Sequence, residues 1–217
     1  MAPSKQAMTV PTFFLPGMHG TGELWSPFRE VWKGPFIPVS YAAGSTVVLD
    51  DYVAAVEAAI ASEHPGETAV DLVAESFSGP VALRVAQRER VRVRRIVLVA
   101  SFAGAWPSWV LSAARVLPLQ LMSWLRMPEL GVSQVLLNGA GNRELISEVT
   151  SVVQAIPPQV IAERLRLLSG LTIGEWRCAC PVLALQAMHD RLVGAMRGIR
   201  QMCTNLTLAA IDGPHLL

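Results

Sequence analysis

With 217 residues and a formal net charge of +1, the chain is long enough for one domain with a substantial core and an insertion. It carries no basic tract of the kind that marks a nucleic-acid partner. Apolar residues make up 52%, yet no transmembrane helix is expected, and residues 1–10 lack the apolar region of a signal peptide, which makes cytoplasm the default.

Residues 11–15 read as a buried strand, followed by the glycine-rich loop Pro16-Gly17-Met18-His19-Gly20-Thr21-Gly22. A phosphate cradle is a weak reading of that loop, because it has neither a Gly-Lys-Ser/Thr ending nor G-x-G-x-x-G spacing. A second strand is expected over 36–41 and an alanine-rich amphipathic helix over 51–62, with Asp50 or Asp51 as its N-cap. His64, before Pro65-Gly66, belongs to a solvated turn.

The segment Val73-Ala74-Glu75-Ser76-Phe77-Ser78-Gly79-Pro80 is the most informative in the chain. An apolar run over 69–74 leads into a serine flanked by small residues, and a helical pattern starts at Pro80. Strand, sharp turn and helix around small-x-Ser-x-small describe a nucleophile elbow, whose strained backbone presents the serine Oγ above the sheet. Ser76 fits the motif better than Ser78, for which Pro80 would have to fill the second small position. With Ser76 as nucleophile, the amide of Phe77 is placed to donate to an oxyanion. Glu75 is adjacent and points away.

Arg84, Arg88, Arg90, Arg92, Arg94 and Arg95 span the end of that helix and the start of the next strand (95–101), and read as a solvated face. Residues 104–177 then break the strand–helix alternation with helical patterns over 108–125, 132–137, 143–155 and 158–168. Trp106, Trp109, Leu111, Leu117, Leu121, Met122 and Trp124 make the start of this insertion strongly apolar, chiefly for packing onto the core. Such an insertion reads as a cap over a site, with 1–103 and 178–217 forming the core. Cys178, Cys180 and Cys203 are odd in number and suit neither a disulfide framework nor a zinc site, so buried free thiols are expected.

A strand over 181–187 precedes the turn Met188-His189-Asp190-Arg191-Leu192-Val193 and a helix over 193–203. The last strand, 206–211, leads through Asp212-Gly213-Pro214 to His215. A serine needs a base to take its proton and an acid to orient the base. His215, just past the last strand, is the expected base. Asp190 is the expected acid, with Asp212 a weaker candidate better suited to forming the turn. Strands alternating with helices argue a doubly wound, mostly parallel α/β sheet, with all three residues beyond its carboxyl edge.

Together, Leu15-Pro16-Gly17-Met18-His19-Gly20-Thr21-Gly22, Ala74-Glu75-Ser76-Phe77-Ser78-Gly79-Pro80, Asp190-Arg191-Leu192-Val193 and Asp212-Gly213-Pro214-His215 resemble an α/β-hydrolase of the bacterial carboxylesterase type. The chain is similar to the group that includes pimeloyl-carrier-protein methyl ester esterases. The resemblance implies a Ser-His-Asp esterase of small to medium carboxylic esters, without metal or organic cofactor. The amides of Met18 and Phe77 would form its oxyanion hole. The same residues also serve thioesterases, acyltransferases and C–C hydrolases, and a non-catalytic binding protein of this fold is the remaining class. There are departures. Ala74 and Ser78 replace the usual glycines. His19 stands where related loops often carry an acid. Gly194 replaces a proline. The chain stops two residues after His215, where relatives continue into a helix, so that helix is expected to be missing.

Overall fold

The run Val70-Asp71-Leu72-Val73-Ala74-Glu75 is buried along its whole length. A strand buried on both faces belongs inside a parallel sheet. The computed structural model describes residues 10–42, 48–66, 69–104, 129–172, 174, 177–193 and 198–216, and this run is a central strand in it. The strands are β1 (Thr12–Leu15), β2 (Phe36–Pro38), β3 (Val70–Glu75), β4 (Val93–Val99), β5 (Val182–Ala187) and β6 (Leu206–Ile211). They form one sheet in the order β2-β1-β3-β4-β5-β6, with every pairing parallel. From β1 the chain first builds outward to β2, then returns to place β3 on the other side. The sheet therefore has its switch point between the ends of β1 and β3, where a crevice opens.

Alternation along the strands separates two apolar layers. Phe13, Leu15, Leu72, Ala74, Ile96 and Leu98 face α2 (Leu49–Glu63) and α3 (Ser78–Arg88), which bury Val53, Val56, Val81 and Val85 against them. Phe14 and Val73 face the opposite way, toward Trp25, Trp32 and Phe36 around α1 (Ser26–Val31). Phe14 anchors this second layer, with its ring 4.2 Å from that of Phe36 and edge-on to Trp25 at 5.2 Å.

Several boundaries differ from the sequence pattern. β2 ends at Pro38 rather than at residue 41. α2 begins at Leu49 with Val48 at its N-cap, so Asp50 and Asp51 lie in the first turn instead of capping it. There the helix dipole still favours them, and Asp50 pairs with Arg88 at 2.8 Å. Most of the arginine cluster is engaged in such pairs: Arg88 and Arg90 reach Glu57, and Arg94 and Arg95 reach the buried Asp71.

Between β4 and β5 come α4 (Glu129–Gly131), which runs on into a π-helical turn (Val132–Leu136), α5 (Arg143–Gln154) and α6 (Pro158–Gly170). The side chain of Asn142 caps α5 by accepting from the Leu145 amide at 2.8 Å. The helix expected over 108–125, with Trp109 and Trp124, lies outside the described residues. So does Gly194, and of the helix expected over 193–203 the described part is α7 (Ile199–Met202). Among the described residues no single helix is long and apolar enough to cross a membrane. The three cysteines are free and cluster at the amino-terminal edge of β5 and β6, with Cys178 and Cys180 sulfurs 3.4 Å apart; Cys180 is only half-buried.

α3 packs closely against the segment after β4. A Cβ on Gly79 would overlap Ser101 Oγ and stand 2.9 Å from the Phe102 carbonyl oxygen. The carbonyl is backbone, and Ser101 Oγ is committed to its hydrogen bond with the Ser76 carbonyl. Gly79→Ala is therefore expected to destabilise the fold by about 1–3 kcal/mol, the range for overpacked cores. Urea denaturation should show a lower midpoint at unchanged slope. A midpoint equal to that of the parent would mean that α3 can slide without cost.

Candidate active site

Ser76 directly follows β3 and has φ 45°, a left-handed conformation that L-residues other than Asn and Asp rarely adopt. The turn is held from both ends. The Ser76 amide donates to the Val99 carbonyl at 2.9 Å, and its carbonyl accepts from the Gly79 amide at 3.2 Å and from Ser101 Oγ at 2.6 Å. Its side chain consequently stands at the sheet's carboxyl edge, one residue before the N-cap of α3.

His215 Nε2 lies 3.0 Å from Ser76 Oγ, and His215 Nδ1 lies 2.9 Å from Asp190 Oδ2. The turn after β5 holds Asp190, whose other oxygen accepts from the amides of Leu192 at 2.7 Å and Val193 at 2.9 Å. Burial alone would raise the Asp190 carboxyl. The hydrogen bond and charge of His215, together with those two amides, outweigh it and hold the group below its ordinary value. An ionised Asp190 accepts the Nδ1 proton, so Nε2 is left free to accept the Ser76 hydroxyl proton. His215 is 4% exposed. The loop carrying it is tied down by the Leu216 amide, which donates to the Leu136 carbonyl at 3.2 Å.

The other candidates lie elsewhere. Asp212 pairs with His189 Nε2 at 2.8 Å on the surface. Ser78 is wholly buried and faces the glycine loop: its Oγ donates to the Pro16 carbonyl and accepts from the Tyr41 hydroxyl at 2.6 Å. Glu75 lies against Gly17, on the loop side of the turn. His64 closes the C-terminal end of α2.

Three carbonyls of the loop after β1 are held from behind. Pro16 is held by Ser78, Met18 by Arg164 Nη1 at 2.6 Å, and Gly20 by the Tyr41 amide at 2.7 Å. Among the described residues, neither the Met18 nor the Phe77 amide has an acceptor. Ser78, Tyr41 and Arg164 were not singled out as supports in the sequence pattern. Ser78 counted there as a small residue of the turn and as the rival nucleophile. Arg164 had a detectable signal, since it interrupts the apolar stripe Val160–Arg164–Leu168 at helical spacing. Among the described residues no group of His, Cys, Asp or Glu is arranged to hold a metal ion.

A family model described as serine aminopeptidase, S33, matches residues 40–209. The chain belongs to this α/β-hydrolase family. The matched stretch includes Ser76 and Asp190, while the loop of Met18 and the terminal His215 fall outside it. Among solved structures, an esterase from Exiguobacterium antarcticum superimposes with TM-score 0.80 at 12% identity, over 95% of this chain and 85% of that chain. A hydrolase from Pseudomonas aeruginosa gives 0.76 at 14%, over 97% and 84%. An enol-lactonase from Burkholderia xenovorans gives 0.72 at 14%, over 95% and 85%. At such identities the likeness speaks for the α/β-hydrolase fold alone. No curated protein matches the sequence.

Within this α/β-hydrolase, His19 is a buried imidazole whose Nε2 has no hydrogen-bond partner. Burial pushes it below the ordinary 6.5, and the charge of Arg164 acts in the same direction against Glu75 and a backbone hydrogen bond at Thr21. A depressed folded-state value means that the unfolded chain binds the proton first. The stability tied to neutral His19 is therefore complete above pH 6.5 and is lost as pH falls below it. Chemical denaturation between about pH 7 and pH 5 is expected to show a steeper loss for the parent protein than for His19→Gln. Parallel curves would place the acid sensitivity elsewhere.

Proposed function

We propose that the chain is a serine hydrolase that cleaves small to medium carboxylic esters through an acyl-enzyme intermediate. The observation that carries this reading is the continuous chain Ser76 Oγ–His215–Asp190, with bonds of 3.0 and 2.9 Å, set on a turn strained at the serine. Ser76 Oγ attacks the ester carbonyl as its proton passes to His215 Nε2. Asp190 holds the imidazole in the required tautomer and stabilises the imidazolium. The oxyanion is received by the amides of Met18 and Phe77, neither of which has an acceptor among the described residues. When the carbonyl re-forms, the C–O bond to the alcohol breaks and His215 returns the proton to the leaving oxygen. Water then repeats the sequence on the acyl-enzyme, with His215 as base and Ser76 as the leaving group. No step calls on a metal or an organic cofactor.

Residues 1–103 and 178–217 form the catalytic core in this reading, and 104–177 form the cap. The described part of the insertion touches both triad loops, through the Leu136 carbonyl to Leu216 and the Gln134 carbonyl to Arg191 at 3.1 Å. A cap so placed limits water and selects the acyl group. The esterase and the lactonase among the structural neighbours, which act on carboxylic esters by name, favour ester chemistry. The family description favours a comparison with aminoacyl amides, and short-chain esters are expected to be turned over faster.

Ser76→Ala should lower kcat on short-chain p-nitrophenyl esters by about three to six powers of ten without changing the fold. Near-normal turnover in that variant would remove Ser76 from the mechanism, and an inactive Ser78→Ala with a native melting curve would shift the role to Ser78. The acid is tested by ranking two variants. Asp190→Asn should cost about four powers of ten through loss of the tautomer, and Asp212→Ala less than about threefold. The reverse ranking would make Asp212 the acid.

A further inference from the structure

Arg164 stands apart from the other arginines among the described residues. It comes from α6, is 1% exposed, and among the described residues has no carboxylate near enough for an ion pair. Removing a guanidinium from water without a counter-charge is costly, so what surrounds it must compensate. Its Nε donates to the Tyr52 hydroxyl at 3.1 Å and its Nη1 to the Met18 carbonyl at 2.6 Å. Its central carbon lies 5.9 Å from the ring centroid of Tyr41 and 5.7 Å from those of Tyr52 and Phe77, three aromatic faces that attract a cation. The glycine loop is shaped to admit it. Gly20 has φ +79°, and a Cβ there would collide with both terminal nitrogens of Arg164.

Two of these contacts fall on one functional unit. Met18 and Phe77 are the residues whose amides form the oxyanion hole in the reading above. The Gly20 amide holds the Gly17 carbonyl at 3.1 Å, which fixes the peptide plane that carries the Met18 N–H. Arg164 holds the next plane through the Met18 carbonyl. The two planes flanking the Met18 Cα are then both anchored, and the N–H has one direction left. On the other side of the hole, the Phe77 ring is pinned by the same guanidinium.

We propose that Arg164 is a positioning residue that assembles the oxyanion hole and makes that assembly depend on docking of α6. The inference rests on the ester-hydrolase reading. Without Arg164 the loop would keep the contacts of Ser78 and Tyr41 at Pro16 and Gly20 but lose its hold on the Met18 carbonyl, so the Met18 amide would sample several directions and the hole would be formed in a fraction of molecules. With Arg164 seated, the hole exists before substrate arrives. Its buried positive charge also has the sign that a developing oxyanion requires, in surroundings that screen it little. Because the effect is on the transition state, it should appear in kcat and not in substrate binding.

The test uses Arg164→Met, which keeps most of the volume, and Arg164→Lys, which keeps the charge but cannot hold Tyr52 and Met18 together. Kinetics with p-nitrophenyl butyrate, affinity for a trifluoromethyl ketone that forms a tetrahedral adduct, and melting curves are recorded for each. Removing one oxyanion donor outright costs about 10²–10³ in kcat, so misplacing one should cost Arg164→Met about 10–10² with KM within about threefold. Ketone affinity should fall in parallel with kcat. Arg164→Lys should recover part of both, and added guanidinium ion should raise the kcat of Arg164→Ala. Unchanged ketone affinity, a KM rise at constant kcat, or a kcat loss that only tracks the unfolded fraction would overturn the proposal. If Arg164→Met does not fold, Arg164→Lys alone decides, because full kcat and full ketone affinity in that variant would refute a geometric role. Ser76→Ala is run beside them. An inactive Ser76→Ala with a fully active Arg164→Met sinks this inference and leaves the hydrolase reading intact, whereas an active Ser76→Ala sinks both.

Discussion

Ser76 is held at φ 45°, and most of the surrounding structure answers to that one constraint. A serine in this conformation costs about 1–3 kcal/mol and persists only where its neighbours over-determine it. Here they do. The end of β4 takes its amide, Ser101 and the first turn of α3 take its carbonyl, and the missing Cβ at Gly79 lets α3 approach the Ser101–Phe102 backbone. β3 beneath it is buried at all six positions, so the strain rests on a fully buried strand. A parallel sheet sends every strand's carboxyl end to the same edge. That geometry brings the residues after β1, β3, β5 and β6 within reach of one another, although they are far apart in the chain.

The ground behind the glycine loop is electrostatically unusual. A guanidinium with no ion-pair partner among the described residues, an imidazole pushed toward neutrality and the buried side chain of Glu75 occupy one region. In a low-dielectric interior each of these would be expensive alone. Arg164 is offset by aromatic faces and a carbonyl, and His19 by remaining uncharged. The phenol of Tyr41 is pushed well above its ordinary range by burial and so stays a neutral donor to Ser78. The result is a set of fixed dipoles behind the loop that do not need to reorganise when charge appears in front of it.

The segment between β4 and β5 reaches this site through two kinds of contact. Polar ones run from the π-helical turn to the loops of Asp190 and His215. Apolar ones join Val132, Leu137 and Val149 to Leu24 and Leu216. His215 follows the edge strand β6, where little of the sheet supports it. These contacts keep it buried, and a buried imidazole between Asp190 and Ser76 keeps its orientation.

The local pattern in the sequence determined the sheet, because period-two alternation and uninterrupted apolar runs are properties of a few adjacent residues. β1, β3, β5 and β6 were legible within a residue or two. The elbow was legible for the same reason, since small residues around Ser76 are needed by the turn itself. Which serine stands at the turn's apex could also be argued locally, from where Pro80 can sit in a helix. Ends set by competing partners were not legible. α2 starts at Leu49, ahead of the aspartates expected to cap it, and β2 stops at Pro38. The distances from Ser76 to His215 and from His215 to Asp190 were not legible either, because they depend on strand order and register. Nor was the company of Arg164: an arginine in an apolar stripe says that something receives it, but only packing α6 against the loop after β1 makes that receiver Met18. Tertiary structure decided these points because each depends on how separate elements pack: Ser76 meets His215 and Met18 meets Arg164 across more than a hundred positions, a separation across which no sequence periodicity carries information.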